Sequence, residues 1–286
     1  MEDQTVFGLT DAELARRPTA FAPGALEGKR VLVTGGGSGI GRATAWLAAR
    51  LGAVVVVAGR SEEKLASFVA AAGAAGLNAQ AKPLNIRDEA AVERLFGDLE
   101  EGGGIDVLVN SAGGQFPQAA IDFSPKGWRA VIDTNLNGTW WMMQAAARAW
   151  RARKAPGTIV NVVTVVDRGM PGVAHTCAAR AGVIYLSKTV AVEWAPLNIR
   201  INCVAPGVIA TEGQAVYDPV VRAAFPMANP MKRWGSPWDV AQTNIFLATD
   251  ASAFMTGEVI TLDGGGCLWG ELWTTDKPDH FRTGAA

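Results

Sequence analysis

The sequence predicts one α/β domain built on a doubly wound parallel sheet of about seven strands. Short apolar segments rich in β-branched residues alternate along the chain with segments of helical composition. Apolar strands separated by helices are typical of a parallel sheet that is covered on both faces. A glycine-rich turn lies directly between the first strand of this series and the first helix. No linker or internal repeat divides the 286 residues, so we expect a single unit with right-handed crossovers.

The elements follow in chain order. Residues 1–27 are interpreted as a polar N-terminal extension, residues 28–266 as the main domain and residues 267–286 as a C-terminal tail. Strands are predicted over residues 30–34, 53–59, 79–85, 105–110, 158–163, 200–205 and 258–262. Helices are predicted over residues 41–51, 61–75, 88–101, 125–153, 175–195 and 237–249. Ser61 fits an N-cap because two glutamates follow it in the first turn. The irregular stretch 208–235, rich in Pro, Gly and Met, is a candidate lid, and Trp269 and Trp273 predict that the tail packs on the domain.

Composition excludes several classes of protein. Apolar residues make up 49% of the chain and charged residues 19%, which excludes a disordered protein and provides for a core. The net charge of −1 makes a nucleic-acid partner unexpected. The longest apolar run, residues 53–58, is too short to cross a membrane. Three cysteines without metal-ligand spacing and the lack of a leader-like start predict a cytoplasmic protein with no metal site.

The glycine-rich turn reads Thr34-Gly35-Gly36-Gly37-Ser38-Gly39-Ile40-Gly41. A flexible loop is the alternative interpretation, but here the glycines stand where a strand must turn sharply into a helix. Such a turn lets the backbone approach a pyrophosphate, and the N-terminus of the following helix favours anions. The sequence therefore predicts a dinucleotide site at this turn.

Further motifs follow in order: Asn110-Ser111-Ala112-Gly113, then Asn135, Ile199-Arg200-Ile201-Asn202 and Pro206-Gly207. Together with the glycine turn they resemble the short-chain dehydrogenase/reductase (SDR) family over about residues 22–266. The resemblance implies a Rossmann-type fold that binds a nicotinamide cofactor. It places Asn110, Ala112 and Gly113 near the adenine ribose, and Pro206, Gly207, Ile209 and Thr211 at the nicotinamide. The full set of expected cofactor residues is Gly35, Ser38, Gly39, Ile40, Gly41, Arg60, Ser61, Asn85, Ile86, Asn110, Ala112, Gly113, Arg180, Pro206, Gly207, Ile209 and Thr211.

The end of the second strand indicates which cofactor is bound. A site selective for NAD usually has an acidic residue here to bind the ribose 2′-hydroxyl, but this chain has Gly59 followed by Arg60. A charged hydrogen bond from Arg60 to a 2′-phosphate is worth about 1.5–3 kcal/mol, roughly a tenfold to hundredfold preference. We therefore expect NADP(H), with Asn85 and Ile86 at the adenine.

The expected catalytic positions depart from the SDR pattern. The family uses Ser, Tyr and Lys. The Ser position falls near Val163 or Thr164, with Thr164 favoured, and the Tyr and Lys positions fall on Thr176 and Arg180, while the fourth family residue is retained as Asn135. An arginine can hold the nicotinamide ribose but stays charged, so it does not readily shuttle a proton. Because a positioned acid–base group contributes ~10²–10⁴ in rate, an alcohol dehydrogenase without its Tyr should be crippled.

Reduction of a C=C bond conjugated to a thioester depends less on that Tyr, because donors can stabilise the negative charge on the thioester oxygen. Gly113-Gly114-Gln115-Phe116, Lys126-Gly127-Trp128 and Ala178-Ala179-Arg180-Ala181-Gly182 also resemble the trans-2-enoyl-CoA reductase and dienoyl-CoA reductase branch of SDRs. In the enoyl-CoA reductases a small hydroxyl residue and an Arg replace Tyr and Lys. The resemblance implies NADPH-dependent reduction of an acyl-CoA thioester by a homotetramer or homodimer.

Two alternatives remain open. One is an alcohol or carbonyl dehydrogenase with a displaced proton donor such as Tyr217, and the other is an inert fold that only binds NADP(H). Tyr185 is expected to face away from the site, because it lies nine residues beyond Thr176 on the same helix. His175 and Cys177 are interpreted as packing residues. Residues that could line an acyl pocket, with ordinary core packing as the alternative, are Phe116, Met170, Met227 and Met231.

Overall fold

The computed structural model describes residues 7–269 and Asp279. Its seven strands are β1 Arg30–Thr34, β2 Val54–Gly59, β3 Ala79–Pro83, β4 Val107–Asn110, β5 Gly157–Val162, β6 Ile199–Pro206 and β7 Val259–Leu262. All pair in parallel in the order β3-β2-β1-β4-β5-β6-β7. The predicted doubly wound sheet of seven strands is thus confirmed. The carboxyl ends of β1 and β4, where the strand order reverses, form the crevice at which such sheets bind ligands.

The helices connect the strands and cover both faces of the sheet. They are α1 Asp11–Arg16, α2 Gly39–Arg50, α3 Glu62–Ala74, α4 Glu89–Glu101, α5 Pro125–Ile132, α6 Gly138–Arg153, α7 Ala174–Trp194, α8 Pro219–Ala223 and α9 Pro237–Ala248. Successive side chains of a strand point to opposite faces. Val55 and Val57 therefore enter the core with α2 and α9, whereas Val56 enters the core with α4 and α6.

The helix predicted over residues 125–153 is wrong as a single element. A π-helical turn, Asp133–Asn137, separates α5 from α6. The Asn137 side chain donates to Asp133 Oδ1 at 2.9 Å inside this turn. A π-turn shifts the register of a helix by one residue without changing its apolar composition, so the periodicity of the sequence did not reveal it. The turn sets Asn135 at the crevice, as described below.

The N-terminal extension is more ordered than a polar lead-in. Thr10 and Glu13 form a reciprocal capping box at the start of α1, and Leu14 is buried. We call residues 7–20 the N-terminal strap. Its Asp11 accepts hydrogen bonds from Arg42 and Trp46 of α2, and its end is bound to α9 through the Trp238 indole and the Gln242 side chain.

The stretch 208–235, which we call the lid segment, crosses the crevice between β6 and α9. It contains α8 and two short 3₁₀ turns, and a bridge between Ile209 and Gly235 closes its two ends. The strap also contacts the lid segment: the Gly8 amide donates to the Ala210 carbonyl at 3.1 Å, and Phe7 packs edge-on against Trp234. Of the predicted tail, Trp273 lies outside the described residues. No helix within residues 7–269 is long and apolar enough to cross a membrane.

Candidate active site

Two glycines of the turn between β1 and α2 stand where no side chain would fit. Gly35 has a φ of 68°, and a Cβ there would lie 2.9 Å from the backbone of Ala112. A Cβ on Gly41 would collide with the carbonyl of Gly35. Ser38 occupies the N-cap of α2, but its side chain makes no capping hydrogen bond and the first turn contains no acidic residue. The backbone amides of this turn are therefore available to an anion.

One carboxylate stands opposite this helix end. Oε2 of Glu212, in the lid segment, lies 3.6 Å from the position of a Cβ on Gly39. Because two negative groups repel each other at such distances, a pyrophosphate bound at α2 would displace the Glu212 side chain.

Eight of the predicted cofactor residues line one cleft of about 220 Å³ next to the turn. They are Gly35, Ser38, Arg60, Ser61, Asn85, Ile86, Ala112 and Gly113. Lys64 also lines the cleft, so its ammonium group joins the Arg60 guanidinium there. Neither cation has a hydrogen bond or ion pair from its side chain in the described part of the chain. This pair of cations is suited to a phosphate group.

Some predicted cofactor residues have structural partners instead. Asn110 is buried at the end of β4 and donates to Asn161 of β5 at 2.9 Å. Ser61 accepts the Lys64 amide and so caps α3. The backbone amide of Ala112 donates to the Thr34 hydroxyl. These contacts fix the ends of the strands around the crevice.

The π-turn places Asn135 against the loop that follows β4. Asn135 Oδ1 accepts the Gly114 amide at 3.0 Å, and its Nδ2 donates to the Gly114 carbonyl at 2.9 Å. The Thr139 hydroxyl in turn donates to the Asn135 carbonyl. The two hydrogen bonds hold the 113–115 loop in a defined position. A π-turn at this place is typical of a functional site.

Arg180 and Thr176 lie one turn apart near the start of α7, as their spacing predicts. The Arg180 side chain is 9% exposed, and its guanidinium stands where a Cβ on Gly113 would be. It has no hydrogen bond or ion pair within residues 7–269 and Asp279. Thr176 Oγ1 is buried and likewise lacks a partner there. A buried hydroxyl without a partner, one helical turn from a guanidinium without a partner, points to a ligand that completes them.

Burial also explains the electrostatics around Arg180. Desolvation lowers the pKa of Arg180 to about 10, so the group stays charged at neutral pH. The Cys203 thiol lies close enough to interact with this charge. Burial raises the pKa of Cys203 to about 11, and a neutral thiol does not offset the arginine. The charge of Arg180 is therefore not neutralised by Cys203.

The segment after β6 forms the far wall of the crevice. The Gly207 amide donates to the Leu262 carbonyl at 3.0 Å, and a Cβ on Gly207 would lie 2.7 Å from that of Asp263. Thr211 stands 3.3 Å from the position of a Cβ on Gly39. This contact brings the predicted nicotinamide segment, Pro206 to Thr211, to the glycine turn.

A cavity of about 350 Å³ opens beside this wall. Thr164 and Met170, both predicted, line it, and the Thr164 hydroxyl faces the Pro206 carbonyl at 3.5 Å. Phe116, Met227 and Met231 do not line it. Phe116 instead packs against His175, which stacks face to face on Phe123. Apolar and polar groups together line the cavity, as in small-molecule sites. The other residues that line the cavity are Gln115, Pro117, Val165, Arg168, Pro171, Val173, Gly207, Val208, Gln214, Tyr217, Val221, Phe225, Ala228, Asn229, Asp263 and Gly266.

Of the remaining candidates, only Tyr217 lines the cavity. Burial lowers the pKa of His175, so the imidazole is neutral, and neither His175 nor Cys177 lines the cavity. Tyr185 is 72% exposed on α7, which agrees with the geometric expectation. Tyr217 does line the cavity, where its hydroxyl contacts Gln115.

Sequence reasoning missed Lys64 and Gln115. Lys64 lies in the first turn of α3, just after Arg60, and this proximity was an available signal. Gln115 lies in the Gly113-Gly114-Gln115-Phe116 motif, but its contact with Tyr217, 102 residues away along the chain, arises only in the tertiary fold.

Comparison with known proteins agrees with this geometry. The family model for enoyl-(acyl carrier protein) reductases matches residues 35–266. A Bacillus subtilis protein named probable 2,4-dienoyl-CoA reductase is 37% identical over 84% of this chain and 97% of its own length. The 3-oxoacyl-(acyl-carrier-protein) reductase FabG of Thermotoga maritima is 40% identical over 84% of this chain and 98% of its own length. An Agrobacterium tumefaciens structure, provisionally assigned as a 2-deoxy-D-gluconate 3-dehydrogenase with bound NADP, has a TM-score of 0.80 and 32% identity over 87% of this chain and all of that chain.

The chain belongs to the short-chain dehydrogenase/reductase family. It is accordingly an oxidoreductase that uses a nicotinamide cofactor on a small-molecule substrate. The crevice fits such a cofactor, because the glycine turn leaves space for a pyrophosphate and the cleft beside it extends to Asn85 and Ile86.

Proposed function

We propose that this protein reduces the C=C bond of a 2-enoyl thioester, an enoyl-CoA, with NADPH. The observation that carries the proposal is the pair formed by Arg180 and Thr176. Both are buried near the start of α7, where the Thr176 hydroxyl has no partner among the described residues and the Arg180 guanidinium stands against Gly113 of the 220 Å³ cleft. Such a pair stabilises a developing negative charge but does not exchange protons readily, because a guanidinium stays charged.

The proposed chemistry assigns a role to each group. A bound NADPH would supply a hydride to Cβ of the conjugated bond. The electron pair of the C=C bond then moves toward the thioester carbonyl, whose oxygen becomes negative. Thr176 donates a hydrogen bond to that oxygen, and Arg180 adds its positive field. One such donor is worth ~10²–10³ in rate when it stabilises an oxyanion.

NADP(H) selection is attributed to Arg60 together with Lys64. Both side chains line the cleft beside Gly59, where no carboxylate is present to bind a ribose 2′-hydroxyl. Asn135, through its two hydrogen bonds to Gly114, is a positioning residue for the 113–115 loop. Thr164 stands at the cavity wall and is proposed to orient the thioester.

The test is NADPH consumption with crotonyl-, hexenoyl- and decenoyl-CoA, with identification of the saturated acyl-CoA by mass spectrometry. Ketones with NADPH and alcohols with NADP⁺ are the comparison substrates. We expect turnover of enoyl-CoA and a fall of ~10²-fold in kcat for Thr176→Val. Thr189→Val is the matched control, because Thr189 is exposed on the same helix and donates only to the Tyr185 carbonyl. The proposal would be refuted if none of the three enoyl-CoA substrates gave a saturated product.

A second function is favoured by one observation. Tyr217 and Gln115 meet in the 350 Å³ cavity, and a tyrosine there could serve a carbonyl reductase. NADPH consumption with ketones but not with enoyl-CoA would establish this alternative. Tight NADPH binding without turnover of either panel would instead favour the inert cofactor-binding fold.

A further inference from the structure

One of the two tyrosines of the chain is built into the cavity, and the role proposed above leaves it unused. Tyr217 follows the 3₁₀ turn Glu212–Val216 of the lid segment. Its ring packs edge-on against Phe225 at 5.1 Å between centroids, and Phe225 packs in turn against Trp234. The phenol is thus held by aromatic neighbours of its own segment.

The hydroxyl of Tyr217 forms a hydrogen bond with a residue of the loop that follows β4. Gln115 Nε2 donates a hydrogen bond to Tyr217 Oη. Gln115 lies directly after Gly114, which Asn135 holds through two hydrogen bonds, and two residues after Gly113, which touches the Arg180 guanidinium. The phenol oxygen is therefore linked through one short loop to the groups proposed to stabilise the oxyanion.

The hydrogen of the phenol remains available. The oxygen accepts from Gln115, and within the described residues the Tyr217 hydroxyl donates to no acceptor. Tyr217 is half-buried and lines the 350 Å³ cavity together with Thr164 and Gly207.

We propose that Tyr217 is the proton donor that completes the reduction, and that Gln115 is its positioning residue. This inference rests on the proposed function. Hydride addition forms a C–H bond at Cβ and leaves an enolate. The Tyr217 O–H bond then breaks as a C–H bond forms at Cα, and the phenolate regains a proton from solvent. Hydride and proton together account for the two hydrogens of the saturated product.

The predicted pH dependence has a defined sign. A general acid works only while it is protonated, so activity falls as pH rises through its pKa. Burial raises the pKa of Tyr217, whereas the Gln115 hydrogen bond opposes this by stabilising the phenolate. Gln115→Leu should therefore raise the pKa of the Tyr217 phenol, measured by its ultraviolet absorbance in the Tyr185→Phe background, because the kcat profile near pH 10 also contains the loss of charge on Arg180.

The decisive comparison uses both tyrosines of the chain. We expect Tyr217→Phe to lower kcat for enoyl-CoA by ~10²–10⁴-fold while the Kd of NADPH, followed by fluorescence titration, is unchanged. Tyr185→Phe, which alters an exposed residue, should keep the wild-type rate. In the Tyr185→Phe background, biosynthetic 3-fluorotyrosine labels Tyr217 alone and lowers the pKa of its phenol, so the alkaline limb should move to lower pH with the lid segment intact.

A kcat within twofold of the wild type in Tyr217→Phe, or an alkaline limb that fluorination does not move, would overturn the inference. Failure of the proposed function looks different, because the wild-type protein would then not turn over enoyl-CoA. If it reduces ketones instead, the same variants are measured on the ketone, and the same outcomes decide the role of Tyr217.

Discussion

At position 180 the chain buries a guanidinium with no anion beside it in the described residues, and this charge opposes folding. Because burial lowers the pKa of Arg180 to about 10, its protonated form is less stable in the folded than in the unfolded state at every pH below that value. Natural active sites often retain such unfavourable groups because function requires them. Arg180 should therefore stabilise a ligand complex rather than the free protein.

We accordingly expect Arg180→Met to raise the Tm of the free protein, by roughly 2–4 °C for about 1 kcal/mol in a domain of this size. The same variant should weaken NADPH binding and lower kcat by ~10²-fold. Differential scanning calorimetry and steady-state kinetics measure the two effects. Lys188→Met, on the exposed side of the same helix, should change neither. A lower Tm for Arg180→Met would show that the guanidinium holds the structure together.

The cofactor preference tests the two cations of the 220 Å³ cleft. Arg60→Asp replaces a partner for a phosphate with a partner for a ribose hydroxyl, so the Kd of NADPH should rise by about tenfold to hundredfold and that of NADH should fall. Titration of both cofactors against both proteins measures the change. Arg94→Asp, an equal change of charge on the exposed side of α4, is the control. Unchanged NADPH affinity in Arg60→Asp would remove Arg60 from the site.

Single residues differ in how far the sequence could predict them. Thr176 and Arg180 occupy positions of a recognisable motif. Because they are four residues apart in a helix, the sequence alone predicts that about one turn separates them. Tyr217 and Lys64 belong to no motif. Tyr217 reaches the cavity through the path of the lid segment, and Lys64 reaches the cleft from the first turn of α3. A contact between residues such as Gln115 and Tyr217 exists only in the folded chain.

Among the elements, the N-terminal strap contributes an ion pair that should make stability depend on pH. Burial alone would raise the pKa of Asp11, but hydrogen bonds from Arg42 and Trp46 outweigh it and lower the pKa below 3.8. The ionised carboxylate therefore stabilises the fold above its unfolded pKa, and this contribution is lost as pH falls through the folded pKa.

Asp11→Asn should lower Tm at pH 7 by roughly 4–8 °C, the effect of about 2 kcal/mol from hydrogen bonds to a charged group. The Tm values of variant and wild type should converge as pH falls below 3.8, because the wild-type carboxyl is then protonated as well. Thermal melts across this pH range test the sign. Asp122→Asn, at an exposed residue, should follow the wild type, and equal Tm values at pH 7 would contradict the role of the strap.

The elements also show which local signals were sufficient. Continuous apolar runs, such as the valines of β2, predicted the central strands. A strand buried on both faces has apolar residues at every position, and such a run is easily found in the sequence. The capping box of Thr10 and Glu13 was present in the sequence, and applying it would have predicted α1. The π-turn at Asn135 had no such signal, because its cause is a set of contacts with a loop twenty residues away.

For the whole molecule we predict a homotetramer with two kinds of interface. Val192 on α7 is 77% exposed and Phe254, near the start of β7, is fully exposed. These residues lie on different elements and are candidates for contacts between symmetry-related chains. Multi-angle light scattering at micromolar concentration should give four chains. Val192→Glu and Phe254→Glu should each leave dimers, and a monomeric wild-type protein would refute the prediction.

The strap finally bears on how the chain reaches its native state. Its contacts join Thr19 and Ala20 to Gln242, across more than 220 residues. A ribosome delivers the strap first and α9 almost last, and pairings this distant in sequence form late because the intervening loop must close first. During synthesis residues 7–20 should therefore stay accessible to a protease until α9 has emerged, so that protection of the strap would report completion of the domain.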